Sequence, residues 1–402
     1  MAATRPTILQ IIPELDTGGA ELSTVEIAQA IVEAGGRALV LSQGGRLAED
    51  LARVGGELML FPAATKNPVR IARNGYEIAR IIKRENVDLI HARSRAPAWS
   101  ALIAARRTGI PFVTTYHGAY GEKGRLKKLY NSVMARSDLI IANSHYTAGL
   151  VASRYRTPSE KLRVIHRGVE AARFDPAAVA PERVMELRKA WGIGPDVPVI
   201  LQAARLTSWK GQDVVIEAVR RLADEERLGD AVIILAGDHQ GRAAYRDALQ
   251  AQIAAAGLTG RVRMVGHVSD MPAALATSLL AIVASVEPEA FGRTATEAQV
   301  MGCPVIATSI GAPPETVKGG PDVSPGQATG WLVPPGDVSA LAQAIAEALG
   351  LSPDARREMG ERARAHVIAS FSLKAMKRLT LAVYDELLNK GMVDTWSETS
   401  RS

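Results

Sequence analysis

The chain has 402 residues, a formal net charge of +6 and 47% hydrophobic residues. This length suits two domains that each bury a core, and the hydrophobic content excludes an intrinsically disordered protein. The sequence contains no apolar run of about 18 residues, and it leads into a first strand without the apolar core of a signal peptide. We therefore expect a cytoplasmic protein without a membrane span. The single cysteine, Cys303, lies in an apolar turn and is predicted to be a buried structural thiol.

Strands alternate with helices through most of the chain. Apolar runs bounded by polar residues predict a first series of buried strands at 7–12, 38–41, 88–90, 112–116, 139–142 and 162–165. The alternation pauses over 169–198, and a second series follows at 199–201, 232–236, 262–265, 279–284 and 305–308. From residue 337 onward the pattern predicts only helices. Such alternation indicates parallel sheets wrapped by helices, so the predicted fold class is α/β with a domain boundary in the pause.

A glycine pair, Gly18 and Gly19, follows the first predicted strand and opens a helix. Backbone N–H groups at such a helix start can bind a phosphate, but the same pair also serves as a tight turn, and both interpretations stay open. The fingerprint G-x-G-x-x-G is missing after this strand and after the strand at 199–201. Its absence argues against a nicotinamide-dependent dehydrogenase.

Two glutamates, Glu289 and Glu297, lie on either side of a turn between the strand at 279–284 and a predicted helix at 294–301. Open α/β sheets bind ligands at the carboxyl ends of their strands, and carboxylates accept hydrogen bonds from hydroxyls. The pair therefore suits a ligand with two sets of vicinal hydroxyls, such as a sugar and a ribose. Gly292 lets the backbone approach the ligand, and a phosphate site is predicted at the free N–H groups of Arg293, Thr294 and Ala295. The alternative is a chance pair in which Glu297 is a solvated helix residue.

Two cations and a histidine complete the candidate set. Arg205 and Lys210 follow the strand at 199–201, where fixed positive charges would neutralise a diphosphate. His117 ends the strand at 112–116, so its ring is expected to project into the cleft between the domains. Solvated surface charges and a structural histidine are the alternatives. No Asp-x-Asp sequence that would hold a metal-bound diphosphate occurs, and the histidines lack the spacing of metal ligands.

The segment 289–307 resembles the donor-binding signature of glycosyltransferase family 4 through Glu289, Phe291-Gly292, Glu297-Ala298 and Gly302-Cys303-Pro304. Three other segments resemble landmarks of the same family in the same order: 18–21, 167–169 with Arg173-Phe174, and 204–211. The resemblance covers nearly the whole chain and implies the GT-B fold, in which two Rossmann-like domains face an interdomain cleft. It implies an acceptor-binding domain at 1–180, a donor-binding domain at 181–370, and a crossover helix and tail at 371–402. In this fold the last helix, here at roughly 373–388, crosses back to the first domain.

The same resemblance implies a retaining hexosyltransferase that needs no metal and no cofactor. Its donor would be a UDP- or GDP-sugar of mannose or glucose type, and its acceptor a glycan or glycolipid of cell-envelope polysaccharide or lipopolysaccharide biosynthesis. Catalysis would fall to His117, Arg205, Lys210 and Glu289. Donor binding would fall to Gly18, Gly19, Arg205, Lys210, Gly266, Phe291, Gly292, Arg293, Thr294 and Glu297. A sugar-nucleotide epimerase of the same fold and a noncatalytic sugar-nucleotide-binding subunit are the alternatives.

Basic residues surround an apolar helical pattern at 121–136, whose apolar members are Leu126, Leu129, Tyr130, Val133 and Met134. The pattern predicts either a helix that lies on an anionic membrane, at the inner face of the cell membrane, or a core-packed helix with a solvated basic face. Nucleic-acid binding is not expected, because no basic patch interleaved with aromatic residues accompanies the charge.

Overall fold

The computed structural model describes residues 5–16, 18–121 and 124–399. The chain forms two compact units: the first runs through Gly168 and resumes at Lys374, and the second is Val169–Leu373. The predicted boundary 180/181 lies twelve residues after the first of these points, and the predicted boundary 370/371 lies three residues before the second. Within the second unit Val169 N donates to Phe371 O at 2.8 Å and Val169 pairs with Ser372, so the two ends of this unit are joined to each other.

The first unit contains a parallel sheet of seven strands in the order β3-β2-β1-β4-β5-β6-β7. Its strands are β1 Thr7–Ile11, β2 Arg37–Ser42, β3 Glu57–Leu60, β4 Leu89–Ala92, β5 Phe112–Tyr116, β6 Leu139–Ala142 and β7 Leu162–Val164. Its helices before the second unit are α1 Gly19–Glu33, α2 Ala48–Arg53, α3 Pro68–Glu85, α4 Arg95–Thr108, α5 Arg125–Asn131 and α6 His145–Tyr155. The sequence pattern missed β3, an edge strand whose residues are half-buried or exposed and therefore lack the continuous apolar run of a central strand.

The second unit contains a parallel sheet of six strands in the order β10-β9-β8-β11-β12-β13. Its strands are β8 Val199–Ala203, β9 Val232–Ala236, β10 Val262–Gly266, β11 Leu280–Val283, β12 Val305–Thr308 and β13 Gly330–Val333. Its helices are α7 Pro181–Ala190, α8 Gln212–Asp224, α9 Ala243–Ala255, α10 Met271–Thr277, α11 Arg293–Val300, α12 Pro313–Thr316, α13 Val338–Leu349 and α14 Pro353–Ser370. Two sheets of this kind confirm the predicted pair of Rossmann-like domains.

Two helices, α15 Leu373–Leu388 and α16 Met392–Thr399, follow the second unit and pack on the first. From α15, Lys377 forms an ion pair with Glu33 at 3.3 Å, and the Tyr384 hydroxyl lies 2.8 Å from Nδ1 of the buried His91. From α16, Trp396 Nε1 donates to Glu33 Oε2 at 2.7 Å. The predicted last helix has the bounds of α15, whereas α16 was not predicted. Among the described residues, no helix is long and apolar enough to cross a bilayer.

Candidate active site

An ion pair between Lys210 and Glu289 lies at the carboxyl edge of the second sheet. Ser285 Oγ also donates to Glu289 Oε1, at 2.6 Å. The two charged side chains are 17% and 11% exposed, so each is largely shielded from water and each compensates the charge of the other. The fold thus brings together two residues that the sequence singled out separately.

The position of Lys210 depends on the glycine that follows it. Gly211 has φ +67°, and a Cβ atom there would lie 2.1 Å from the carbonyl oxygen of Ala284. The chain can therefore pass this close to the end of β11 only with glycine at this position. Gln202 Nε2 donates to the Lys210 carbonyl at 2.8 Å, and the Trp209 ring centroid lies 4.2 Å from Nζ. These contacts fix the lysine at the end of β8, where a ligand of the sheet edge would meet it.

Gly292 begins α11 in the left-handed conformation, with φ +82°. One part of the predicted phosphate site is wrong: Ala295 N is not free, because it donates to Gly292 O at 3.0 Å and so closes the first turn of the helix. Thr294 Oγ1 donates to Ala203 O at 3.3 Å and ties the helix start to the end of β8. The carboxyl ends of β8 and β11 are therefore held together at this turn.

Arg293 and Glu297 form an i,i+4 ion pair on α11, with Arg293 Nε 3.4 Å from Glu297 Oε1. Their side chains are 15% and 17% exposed. A hydroxyl that binds Glu297 must therefore share the carboxylate with Arg293. The positive charge of Arg293 is therefore largely buried beside this carboxylate.

The other residues predicted for this site differ in their surroundings. The Phe291 ring is buried in the core and meets Phe371 edge-on, with centroids 5.7 Å apart, which leaves only its backbone for a ligand. Arg205 is exposed, and its Nη1 approaches Gln240 Oε1 at 3.5 Å rather than Glu289. Gly266 is exposed at the end of β10, where its carbonyl accepts a hydrogen bond from Gly237 N at 2.7 Å.

In the first unit, His117 follows β5 and is half-buried. Arg167 Nη2 donates to His117 Nδ1 at 2.9 Å. Burial, and then the positive charges of Arg167 and Arg93, hold the pKa of His117 well below its usual value, so the imidazole is neutral at physiological pH. Gly18 and Gly19 stand at the start of α1, as predicted, while their neighbour Thr17 lies outside the described residues.

Comparison with known proteins identifies the family. The model described as Glycosyltransferase Family 4 matches residues 17–173, and the model described as Glycosyl transferases group 1 matches residues 184–366. A solved glycosyltransferase from Rickettsia africae is 36% identical and has a TM-score of 0.86, with 96% of this chain and 99% of that chain covered. This chain belongs to glycosyltransferase family 4. The predicted resemblance and the predicted GT-B fold are both confirmed.

Two relatives show the range of this family. The D-inositol 3-phosphate glycosyltransferase of Streptomyces scabiei is 29% identical over 322 residues, which cover 74% of this chain and 67% of the relative. The GDP-mannose-dependent monoacylated alpha-(1-6)-phosphatidylinositol monomannoside mannosyltransferase of Corynebacterium glutamicum is 28% identical over 347 residues, with 82% and 84% covered. The chain is therefore a glycosyltransferase whose relatives are named for different acceptors.

Sequence reasoning missed two polar residues of this family 4 glycosyltransferase. Ser285 ends the apolar run of β11, and a hydroxyl directly after a buried strand was a signal for a group at the sheet edge. Arg93 is the first residue after β4 and is 3% exposed. Arginine is almost never fully buried without a partner, which makes Arg93 the more unusual of the two.

Proposed function

We propose that this glycosyltransferase moves a hexose of mannose or glucose type from a UDP- or GDP-sugar to a glycan or lipid-linked glycan acceptor, with retention of configuration and without a metal. The Lys210–Glu289 pair is the observation that carries the proposal. A lysine held at a sheet edge can bind a diphosphate. Once Lys210 has released it, the Glu289 carboxylate can accept hydrogen bonds from sugar hydroxyls. The GDP-mannose-dependent relative supports a nucleotide-sugar donor.

Donor binding exchanges the partners of the pair. In the ligand-free protein Lys210 and Glu289 neutralise each other. When the diphosphate arrives, the lysine transfers its hydrogen bonds to phosphate oxygens, and Glu289, still held by Ser285, turns its second oxygen to the sugar. The largely buried surroundings strengthen both interactions, because little water competes for them.

In the proposed reaction the bond between the anomeric carbon and the phosphate oxygen breaks, and the acceptor hydroxyl attacks on the same face. The acceptor proton passes to the departing phosphate oxygen, whose charge Lys210 stabilises. Glu289 is not needed as a nucleophile, since its Oε1 is already bound by Lys210 and Ser285. The role proposed for the neutral His117 is that of a hydrogen-bonding partner of the substrate.

Helix α5 supports a second element of the proposal, contact with an anionic membrane at its inner face. Leu126 and Leu129 are 84% and 53% exposed beside Arg125, Lys127 and Lys128, whereas Val133 and Met134 are buried in the following turn. The apolar pattern thus divides into an exposed part and a core part. Exposed leucines among basic residues suit a lipid surface and, with it, a lipid-linked acceptor of envelope biosynthesis. Glu122 and Lys123 of the predicted helix lie outside the described residues.

Product analysis tests the proposal against an epimerase and against a noncatalytic subunit. Purified protein is incubated with sugar nucleotides, with and without membrane extract as the acceptor, and free nucleotide and the anomeric configuration of the product are measured. A transferase releases nucleotide with acceptor and forms a product with the donor's anomeric configuration, and it does so after chelation of metals. Lys210→Ala should abolish this turnover, while Arg220→Ala, on the exposed face of α8, should not. Epimerised donor without acceptor, or undiminished turnover by Lys210→Ala, would contradict the proposal.

A further inference from the structure

Three cationic or basic side chains of the first unit form a group that the proposed function leaves largely unexplained. Arg93 follows β4, His117 follows β5 and Arg167 lies just beyond β7, all at the carboxyl edge of the first sheet. They line one cavity of about 20 Å³, together with the polar side chains Ser23, Thr115 and Asn143. Among the described residues that line this cavity, none is a carboxylate. We term these three residues the cationic cluster.

Arg93 is buried and can still donate a hydrogen bond to a ligand. Its side chain is 3% exposed, and its Nε has no hydrogen-bond partner in the described part of the chain. Burial lowers the pKa of Arg93 and outweighs the opposing influence of Tyr384 and Glu26. A buried guanidinium with an unused N–H is costly, and an oxyanion is the ligand that best compensates it.

Arg167 decides which nitrogen of His117 carries the proton. A guanidinium only donates, so His117 Nδ1 must accept the 2.9 Å hydrogen bond from Arg167. Because the imidazole is neutral, its proton lies on Nε2, and Nε2 has no hydrogen-bond partner among the described residues. His117 therefore presents an N–H donor to a ligand and cannot accept a proton through Nε2.

The start of α1 adds positive potential beside the cluster. A Cβ atom on Gly19 would lie 1.9 Å from Arg167 Nη1, so the guanidinium rests against the first turn of this 15-residue helix. Its N-cap residue, Gly18, has no side chain with which to cap the helix, and the Glu21 carboxylate of the first turn lies against Gly18 and offsets part of this potential. The positive end of the helix dipole and the guanidinium thus lie together, and an anion between them would lower the energy of both.

We propose that the cationic cluster binds one oxyanion, a phosphate or carboxylate group of a substrate, through Arg93, Arg167 and the Nε2–H of His117. The cavity has room for about one oxygen atom, so the anion enters it by an oxygen while the rest of the substrate stays outside. This proposal rests on the proposed function for the identity of the substrates. The oxyanion belongs either to an anionic acceptor or to the donor diphosphate, and the experiment separates the two sources.

The experiment measures phosphate binding to the full-length protein by thermal unfolding and calorimetric titration, with inorganic phosphate as the ligand and ionic strength held constant with chloride. It is made in a Lys210→Ala background, so that the lysine of the second unit does not contribute. Phosphate should stabilise this protein with a saturable dependence on concentration. Adding Arg93→Met should weaken phosphate binding by about tenfold or more, since a charge-assisted hydrogen bond is lost. The matched control is Arg163→Met, in which the arginine is half-buried and paired with Glu386.

Stability without phosphate gives a second readout that a structural role would not produce. If Arg93 serves ligand binding, Arg93→Met should unfold at the same or a higher temperature than its parent when phosphate is absent, because an incompletely compensated buried charge is removed. A structural role predicts a lower unfolding temperature. If Arg93→Met does not fold, Arg93→Gln replaces it with the same expectation for phosphate binding.

Competition identifies the source of the oxyanion. In protein with Lys210 intact, a nucleoside diphosphate at saturation should abolish the Arg93-dependent part of phosphate binding if the cluster holds the donor diphosphate, and should leave it unchanged if the cluster holds an anionic acceptor. Equal phosphate binding with and without Arg93→Met, or none in either protein, would overturn the proposal. Phosphate binding requires no transfer, so a failure of the proposed function would appear separately, as missing turnover despite Arg93-dependent binding.

Discussion

Replacing Lys210 with alanine should destabilise the second unit, and the size of the effect depends on how deeply the Lys210–Glu289 ion pair is buried. The variant leaves the Glu289 carboxylate, 11% exposed, with Ser285 as a neutral partner. Breaking a buried ion pair costs about 3–5 kcal/mol, and the remaining exposure of both side chains places this pair at about 3 kcal/mol. In a unit of this size each kcal/mol of lost stability lowers the midpoint temperature of thermal unfolding by roughly 2–4 °C. The expected decrease in this temperature is therefore about 6–12 °C.

Scanning calorimetry of the full-length protein measures this loss, and a double-mutant cycle isolates the pair. Glu289→Gln keeps an oxygen for Ser285 and removes the charge. The double variant Lys210→Ala, Glu289→Gln should lose about 2 kcal/mol less free energy of unfolding than the summed losses of the two single variants. Arg220→Ala is the control, because its ion pairs lie on an exposed face of α8 and should change stability by no more than about 0.5 kcal/mol. A Lys210→Ala midpoint equal to that of the control, with no coupling in the cycle, would refute the account of a shielded, mutually compensating pair.

Four further predictions concern single groups. Glu297→Gln should raise the KM for the donor at least about threefold with a smaller change in kcat, because the role expected for Glu297 is to bind donor hydroxyls and not to contact the reacting bond. A kcat loss without a KM change would contradict this expectation. The pKa of His91 is held well below its usual value by burial, so the unfolded chain binds a proton that the folded chain does not, and stability should fall as pH drops below about 6.5, by up to about 1.4 kcal/mol per pH unit. His91→Gln should flatten this dependence in urea titrations, and an unchanged slope would count against a neutral buried ring. Leu126→Glu combined with Leu129→Glu should reduce sedimentation with anionic vesicles without lowering the unfolding midpoint, whereas undiminished sedimentation would remove α5 from membrane contact. Burial raises the pKa of Cys303 to about 12, so the thiol should react with a disulfide reagent only after the protein unfolds, and rapid labelling of the folded protein would contradict its burial.

The central strands could be predicted from the sequence because each is a continuous apolar run with both faces covered. The bounds of β5, β6, β9 and β12 agree with the predicted ranges. The edge strand β3 lacks this signal because its residues are half-buried or exposed. The short β13 lacks it because the strand begins with glycine and its two central residues are half-buried. Helix α16 was missed because the resemblance placed the last helix at α15.

The candidate site could be predicted as a set of residues but not as a set of contacts. Glu289 and Lys210 were each chosen for their position after a strand, yet only the fold shows that they compensate each other before any ligand binds. The proton position on His117 depends on Arg167, which follows a different strand. A lone arginine such as Arg93 carries no periodic signal, and its burial follows from the packing of distant segments.

Donor binding tests the central claim, that Lys210 and the carboxylates of the second unit hold a sugar nucleotide. Thermal stability of the wild-type protein and of Lys210→Ala is measured against UDP-, GDP-, ADP- and dTDP-sugars, with NAD as the control. A ligand at about 100 times its dissociation constant stabilises by roughly 2.7 kcal/mol, which this method detects. The account predicts that one sugar nucleotide stabilises the wild-type protein and that the same ligand fails to stabilise Lys210→Ala. Stabilisation by NAD alone, by none of the sugar nucleotides, or by one of them equally in both proteins would contradict it.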